Sequence, residues 1–457
     1  MTTIISFVLV IGILILIHEL GHFFVARWTG VGVERFSIGF GPVLLRWRGK
    51  ETEYCLSAIP MGGYVKMLGE ENPLEGGTAL PYDPKKAFAL KPLWARFLIV
   101  FAGPGMNFVL AAFIVAVVLA TSGRPVWPPV SGRVAEGSPA VAAGLRSGDT
   151  IVAINGRPVK YWEDVDRAVA GSEGKPLELT IKRGDATQTV TVTPKQTTIQ
   201  DPILRESKTS WDIGAGPQSV PQISSVGPGS PAEKAGLQAG DVVLRVAGQP
   251  VFTADDLVQA IRSKPGEPLP VDIQRENRKL TLTVTPNAEE EKTPTGETIK
   301  VGRIQAGIGS KAVSFVAYDP ISAVWHGVTW TKDMTVVTVK GFWKLVVGTI
   351  DRSNIGGPIQ IASMAGQQAR EGLAPLAMFT AIISVNLAVL NLLPVPMLDG
   401  GHLFFFIIEG VLGRPLSLRK REAAQQLGFV LLMLLMVYAL YNDLMRMGLG
   451  DAFRIFR

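Results

Sequence analysis

The chain has 457 residues, 47% of them hydrophobic, and carries 45 Lys and Arg against 39 Asp and Glu, a net charge of +6. Its length corresponds to about three domain-sized units at ~100–200 residues each, and its positive mean hydropathy leans towards a membrane protein. No basic run is interleaved with aromatics, so the charge calls for no nucleic-acid partner and fits basic loops against anionic lipid; the single cysteine, Cys55, excludes an intrachain disulfide and a cysteine metal cluster.

Four apolar runs stand out, Ile4–Ala26, Phe97–Ala120, Leu376–Leu398 and Leu427–Tyr441. They lie near the ~17–25 residues a helix needs to cross a bilayer, the last one short. The first is read as a span rather than a signal peptide, because no Lys or Arg precedes it and polar residues stand where a small-residue cleavage site belongs. Lys and Arg collect between spans one and two, from Arg27 to Arg96, and between spans three and four, from Arg414 to Arg421. Both loops are therefore expected in the cytoplasm, with both chain ends and the long intervening segment on the other side.

The first span (1–26) contains "ILILIHELGHFFVARW", Ile13–Trp28, with two histidines and a glutamate among large apolar side chains. Unpaired polar groups are costly in hydrocarbon, so this grouping needs a partner. His18 and His22 are four apart and share one helix face, with Glu19 beside them. This is the zinc pattern H-E-x-x-H, in which the metal acidifies a water and the glutamate takes its proton. The simpler alternative is a pair of histidines hydrogen-bonded to a neighbouring helix.

The following loop (27–96) holds "VERFSIGFGPVLLRWRGKETEYCLSAIPMGGYVKM", Val33–Met67, strand-like stretches broken by glycines that read as hairpins. The second span (97–121) opens with "FAGPGMNFVLA", Phe101–Ala111, where Asn107 sits among apolar residues. Helix packing is the reading preferred there, and a contact with the active site is the second.

Beyond it the chain repeats. "GSPAVAAGLRSGDTIVAINGRPV", Gly137–Val159, returns as "GSPAEKAGLQAGDVVLRVAGQPV", Gly229–Val251, and "TVTP" recurs at the same offset of 92. This is a tandem duplication of one small α/β module, expected over 126–219 and 220–311, each copy with a helix near Asp164–Ala170 or Asp255–Ile261. The repeated run resembles bacterial PDZ domains, which implies binding of extended peptides or chain ends. "DIGAG", Asp212–Gly216, and "AGIG", Ala306–Gly309, are candidate carboxylate-binding loops, and "NAEEEKTPTGETIK", Asn287–Lys300, reads as a solvated loop. In 312–372, Trp325, Trp330, Phe342 and Trp343 suit a helix lying along the membrane surface, with a packed soluble helix as the alternative, and "IGGPIQIASMAG", Ile355–Gly366, suits a turn into a helix.

The third span (373–410) ends its apolar run in "NLLPVPMLDGGH", Asn391–His402. A catalytic zinc takes three protein ligands, and Asp399 is the carboxylate that directly follows a long apolar run. Pro394 and Pro396 break the helix just before it. His402 is the second candidate ligand and otherwise a residue that orients the Asp399 loop. The fourth span is expected over 427–445.

"HELGH", "NLLPVPMLDGG" and the PDZ-like copies between them resemble the site-2 protease family of intramembrane zinc metalloproteases, in its bacterial RseP-type branch with tandem PDZ domains. The resemblance runs over nearly the whole chain. It implies one catalytic Zn2+ held by His18, His22 and Asp399, Glu19 as general base, and Asn391, Pro394 and Pro396 as holders of a substrate strand. The expected fold is a polytopic α-helical membrane protein with four transmembrane helices, a membrane-associated β-hairpin region and two extracytoplasmic PDZ-like modules. The hairpins are then expected to line the route to the site, capturing an unwound substrate by strand addition. The family implies a bacterial inner-membrane enzyme with periplasmic termini and PDZ modules. Its substrates are single-span proteins, namely trimmed anti-sigma factors and remnant signal peptides. Two rivals remain: a membrane scaffold using its PDZ pair, for which Glu19 is dispensable, and a metal transporter, which needs more polar residues along the other spans.

Overall fold

A computed structural model describes residues 2–70, 83–200, 207–276, 278–292, 298–311, 314–349 and 356–446. The chain divides into two compact units, one built from residues 1–122 and 317–457 and the other from 123–316.

The first unit begins with α1 (Thr2–Trp28), a hairpin of β1 (Val33–Arg48) and β2 (Glu53–Met67), and α2 (Leu93–Thr121). The second unit contributes the short helices α3 (Pro139–Ala142), α4 (Trp162–Gly171), α5 (Pro231–Lys234) and α6 (Ala254–Arg262). The chain then returns to the first unit with α7 (Pro320–Val347), α8 (Pro358–Glu371), α9 (Leu373–Asn391), α10 (Asp399–Leu412) and α11 (Leu418–Arg446). Among the described residues α1, α2, α9 and α11 are long and apolar enough to cross a membrane.

α2 is the centre of the first unit. Its Ala111 and Val115 pack with Ala381, Val385 and Val389 of α9 and with Trp330 and Met334 of α7, while Val10 and Leu14 of α1 pack with Ala365 of α8 and Phe379 of α9. Small residues bring the helices together, as expected where helix association relies on close packing rather than on expulsion of water. A Cβ on Gly21 of α1 would collide with the Ala102 carbonyl of α2, and one on Gly327 of α7 with the Ala112 carbonyl.

Three expectations are corrected here. The segment expected to lie along the membrane surface is a helix, α7, that packs lengthwise on the apolar bundle and antiparallel to α2. The Tyr318 N–H donates to the Leu119 carbonyl at 3.1 Å, Gly327 meets Ala112, and further along Thr338 Oγ1 donates to Asn386 of α9 at 2.8 Å. The small residues Ala323, Gly327 and Thr331 make that face. Second, the third span does not run as one element over 373–410: the break expected at Pro394 and Pro396 ends α9 at Asn391, and α10 restarts at Asp399. Third, the acidic stretch after the second repeat is not a loop. Asn287–Lys292 and Thr298–Arg303 pair antiparallel, because Glu289 and Glu291 are matched by Arg303 and Arg262; residues 293–297 lie outside the described ones, as does Ile355 of the predicted turn into α8.

α11 is exposed along Phe429, Val430, Leu431, Leu434, Met436 and Val437, as a lipid-facing helix should be. Near its end the buried Asp443 accepts from the Gly357, Ile359 and Gln360 N–H groups, capping α8 from another helix.

The second unit repeats at the level of the core. Ile151, Ile154, Val165, Val169, Leu179 and Ile181 of one copy correspond to Val243, Val246, Leu257, Ile261, Val271 and Ile273 of the other. Each copy pairs a strand (Thr150–Ile154; Val242–Val246) with a longer antiparallel hairpin (Leu177–Val192; Leu269–Val284) and lays a helix, α4 or α6, against it. The polar framework is duplicated too. Asp149 pairs with Arg183 and Asp241 with Arg275, each at 2.7 Å, and Ser138 and Ser230 cap α3 and α5.

Candidate metal centre

The helical repeat of α1 puts the His18 and His22 rings on one face, 4.8 Å apart between centroids. Both residues are more than nine-tenths buried. The break after α9 brings Asp399 to them as the first residue of α10. Its Oδ2 lies 3.1 Å from His18 Nε2, its Oδ1 3.6 Å from His22 Nε2, and the two Nε2 atoms are 3.2 Å apart. Ligand atoms from the three residues all fall within 4.8 Å of one another.

These residues fit zinc. A tetrahedral ion with ~2.0–2.1 Å bonds spaces its ligand atoms about 3.3 Å apart, which is the spacing seen here, and two imidazoles with one carboxylate are a donor set it accepts. His402, the alternative ligand, sits one turn further along α10, half-buried and edge-on to Phe405. It is not in the cluster of ligand atoms.

Two features of sequence make the Asp399 turn possible. A Cβ on Gly400 would run into the Leu393 carbonyl and one on Gly401 into the Val395 carbonyl, so the 392–398 segment folds tightly over the first turn of α10. Asn391 ends α9, Pro394 is exposed, and Pro396 is half-buried with Gly428 of α11 against it. The three candidate substrate-holding residues therefore lie on or beside the short turn segment leading to Asp399.

Sequence reasoning ranked a contact of α2 with the site below helix packing, and the structure shows that contact. The His22 Nδ1–H donates to the Ile99 carbonyl at 2.8 Å, which leaves its Nε2 lone pair directed at the centre. His18 Nδ1 faces the Asn107 amide at 3.3 Å. Between these contacts Gly103 gives the rings room, since a Cβ there would collide with His22 Nε2 and reach 2.8 Å from His18 Nε2. Gly103 and Asn107 are four apart, the spacing of His18 and His22, and that shared face is the signal "FAGPGMN" carried. The hairpin also reaches the site. A Cβ on Gly63 of β2 would come within 2.9 Å of Glu19 Cγ, so the strand backbone packs directly on the glutamate side chain.

The description of peptidase family M50 matches residues 6–435. The chain belongs to peptidase family M50, the site-2 proteases, and is a zinc metalloprotease of that type; its buried two-histidine, one-aspartate cluster, with a glutamate between the histidines, lies among apolar helices. Its relatives include the Regulator of sigma-E protease RseP of Escherichia coli K12, 37% identical over 97% of this chain and 98% of that one. The Salmonella typhimurium protein of the same name has the same identity and coverage, and Protease RseP of Yersinia pestis is 38% identical over 97% and 98%.

Proposed function

We propose that the chain is a single-zinc endopeptidase that cuts the transmembrane segment of single-span proteins, with His18, His22 and Asp399 as ligands and Glu19 as general base. The observation that carries this reading is the convergence of three ligand side chains from two distant parts of the chain on one point beside Glu19. Zinc bound there would acidify a water and polarise a peptide carbonyl. Glu19 takes a proton from the water as its oxygen attacks the carbonyl carbon, and returns it to the amide nitrogen as the C–N bond breaks. A helical substrate hides its peptide bonds, so it must unwind to be cut. Asn391, Pro394 and Pro396 would hold the unwound strand, and the β1–β2 hairpin, packed on Glu19, would line its path by strand addition.

The apolar setting and the relatives named Regulator of sigma-E protease support a membrane substrate in a sigma-factor pathway; on this reading the substrates are single-span anti-sigma factors, trimmed beforehand outside the membrane, and remnant signal peptides. The basic loops after α1 and α10 support a cytoplasmic face there, placing both termini and the 123–316 unit in the periplasm of the inner membrane. The two α/β copies are read as PDZ-like modules that exclude untrimmed substrates. Their loops differ, since the Gly214 N–H is already taken by Asp212 at 2.9 Å, while the second copy has Arg303 before the corresponding turn. The test is purified chain with a model single-span substrate. Cleavage within the span that a zinc chelator stops and zinc restores supports the reading; cleavage untouched by the chelator contradicts it.

A further inference from the structure

The structure assigns Asn107 of α2 as the residue that holds His18 in its zinc-binding tautomer, an inference that rests on the reading of His18 as a ligand. Asn107 is fully buried, and its backbone carbonyl accepts from the Ser384 hydroxyl of α9 at 2.7 Å. The side-chain amide faces His18 Nδ1 at 3.3 Å, and its Oδ1 has no hydrogen-bond partner. A buried amide oxygen left unpaired is costly.

The two imidazoles of the centre need the same thing. A neutral histidine that gives its Nε2 lone pair to a metal carries its proton on Nδ1, and that N–H requires an acceptor. For His22 the acceptor is the Ile99 carbonyl. For His18, Asn107 is the group in reach at Nδ1, and an asparagine can meet either tautomer. With Nδ2 towards the ring, the amide donates to an unprotonated Nδ1, and His18 Nε2–H donates to Asp399 Oδ2 at 3.1 Å. Turned over, the amide presents its unpaired Oδ1 to Nδ1–H and frees Nε2 for zinc. Asn107 is thus a positioning residue: with Oδ1 towards Nδ1–H its buried amide is satisfied and His18 presents Nε2 to the metal. Leucine keeps the volume and offers neither role; aspartate keeps the acceptor.

The test uses the full-length chain in detergent, stripped of metal, with zinc affinity measured by competition against a chromophoric chelator and the visible spectrum recorded with Co2+. N107L is expected to bind zinc about 10–100-fold more weakly and to change the Co2+ spectrum, while N107D retains wild-type affinity. Wild-type affinity in N107L, or an equal loss in N107L and N107D, overturns the assignment and leaves a packing role. H18A is the control for the underlying reading: zinc held as tightly without His18 overturns that reading, whereas loss in H18A beside full affinity in N107L overturns only the role of Asn107.

Discussion

At the scale of single residues, the site depends as much on missing side chains as on present ones. Gly103 leaves space for two imidazoles, Gly400 and Gly401 let the chain close over Asp399, and Gly63 lets a strand lie on Glu19. Gly63→Ala puts a methyl group 2.9 Å from Glu19 Cγ and from the Ser37 carbonyl, so the carboxylate or the strand must shift. A displacement near 1 Å in a catalytic group costs about 100-fold in rate. The expected result is a fall of that size in kcat, with zinc content unchanged, measured by metal analysis beside steady-state cleavage. The three side chains that converge were legible in the sequence as candidate ligands, because H-E-x-x-H has few other uses in an apolar helix and a carboxylate after a long apolar run has to be paired. The glycines were not, because a missing Cβ shows its purpose only once the opposing atom is known.

Among the elements, those whose pattern is local were readable and those whose partners are distant were not. The duplicated module announced itself by a constant offset, and its hydrophobic positions recur at that spacing in both cores. The acidic stretch at Asn287–Lys300 looked solvated because Arg262 and Arg303, which neutralise it, cannot be paired with it from the sequence. The tryptophans of α7 suit a surface helix and its Ala323–Gly327–Thr331 face a packed one, and only the opposing Ala112 of α2 decides between them.

The modules also carry a pH dependence. Burial opposes ionisation of Asp149, but the Arg183 guanidinium and the Arg146 N–H, each at 2.7 Å, overcome it and hold the carboxyl below its ordinary range. Asp241 is held down in the same way, against its burial, by Arg275 and the Gln238 N–H. A depressed folded-state pKa gives stability that is fully present above the unfolded value, about 4 for aspartate, and lost as pH falls through the folded value. Hydrogen exchange of the 150–154 and 242–246 amides in the intact chain should therefore show protection flat from neutral pH down to about pH 5 and falling at more acid pH. D149N should remove that dependence from the first copy only.

For the whole molecule, the two units have separate cores. The chain enters the second unit through Arg124–Val126 and leaves through Ser314–Val316, and these two strands pair with each other, Ser314 opposite Val126. Its ends are therefore adjacent, so residues 123–316 can be replaced by a short Gly-Ser linker without pulling α2 and α7 apart. The deletion should keep zinc and cleave a trimmed single-span substrate, and it should now also cleave the untrimmed one, scored by gel mobility of the products. Unchanged selectivity would remove the gating role from the modules and leave the catalytic reading intact.

The central claim is that Glu19 acts on a water held at the His18–His22–Asp399 centre. The most direct measurement is zinc content and transmembrane cleavage of Glu19→Gln beside the parent chain, both purified in the same detergent. The prediction is one zinc per chain in each, with cleavage by the variant lower by about 10²–10⁴-fold. Cleavage by Glu19→Gln at the parent rate, with zinc in place, would contradict it.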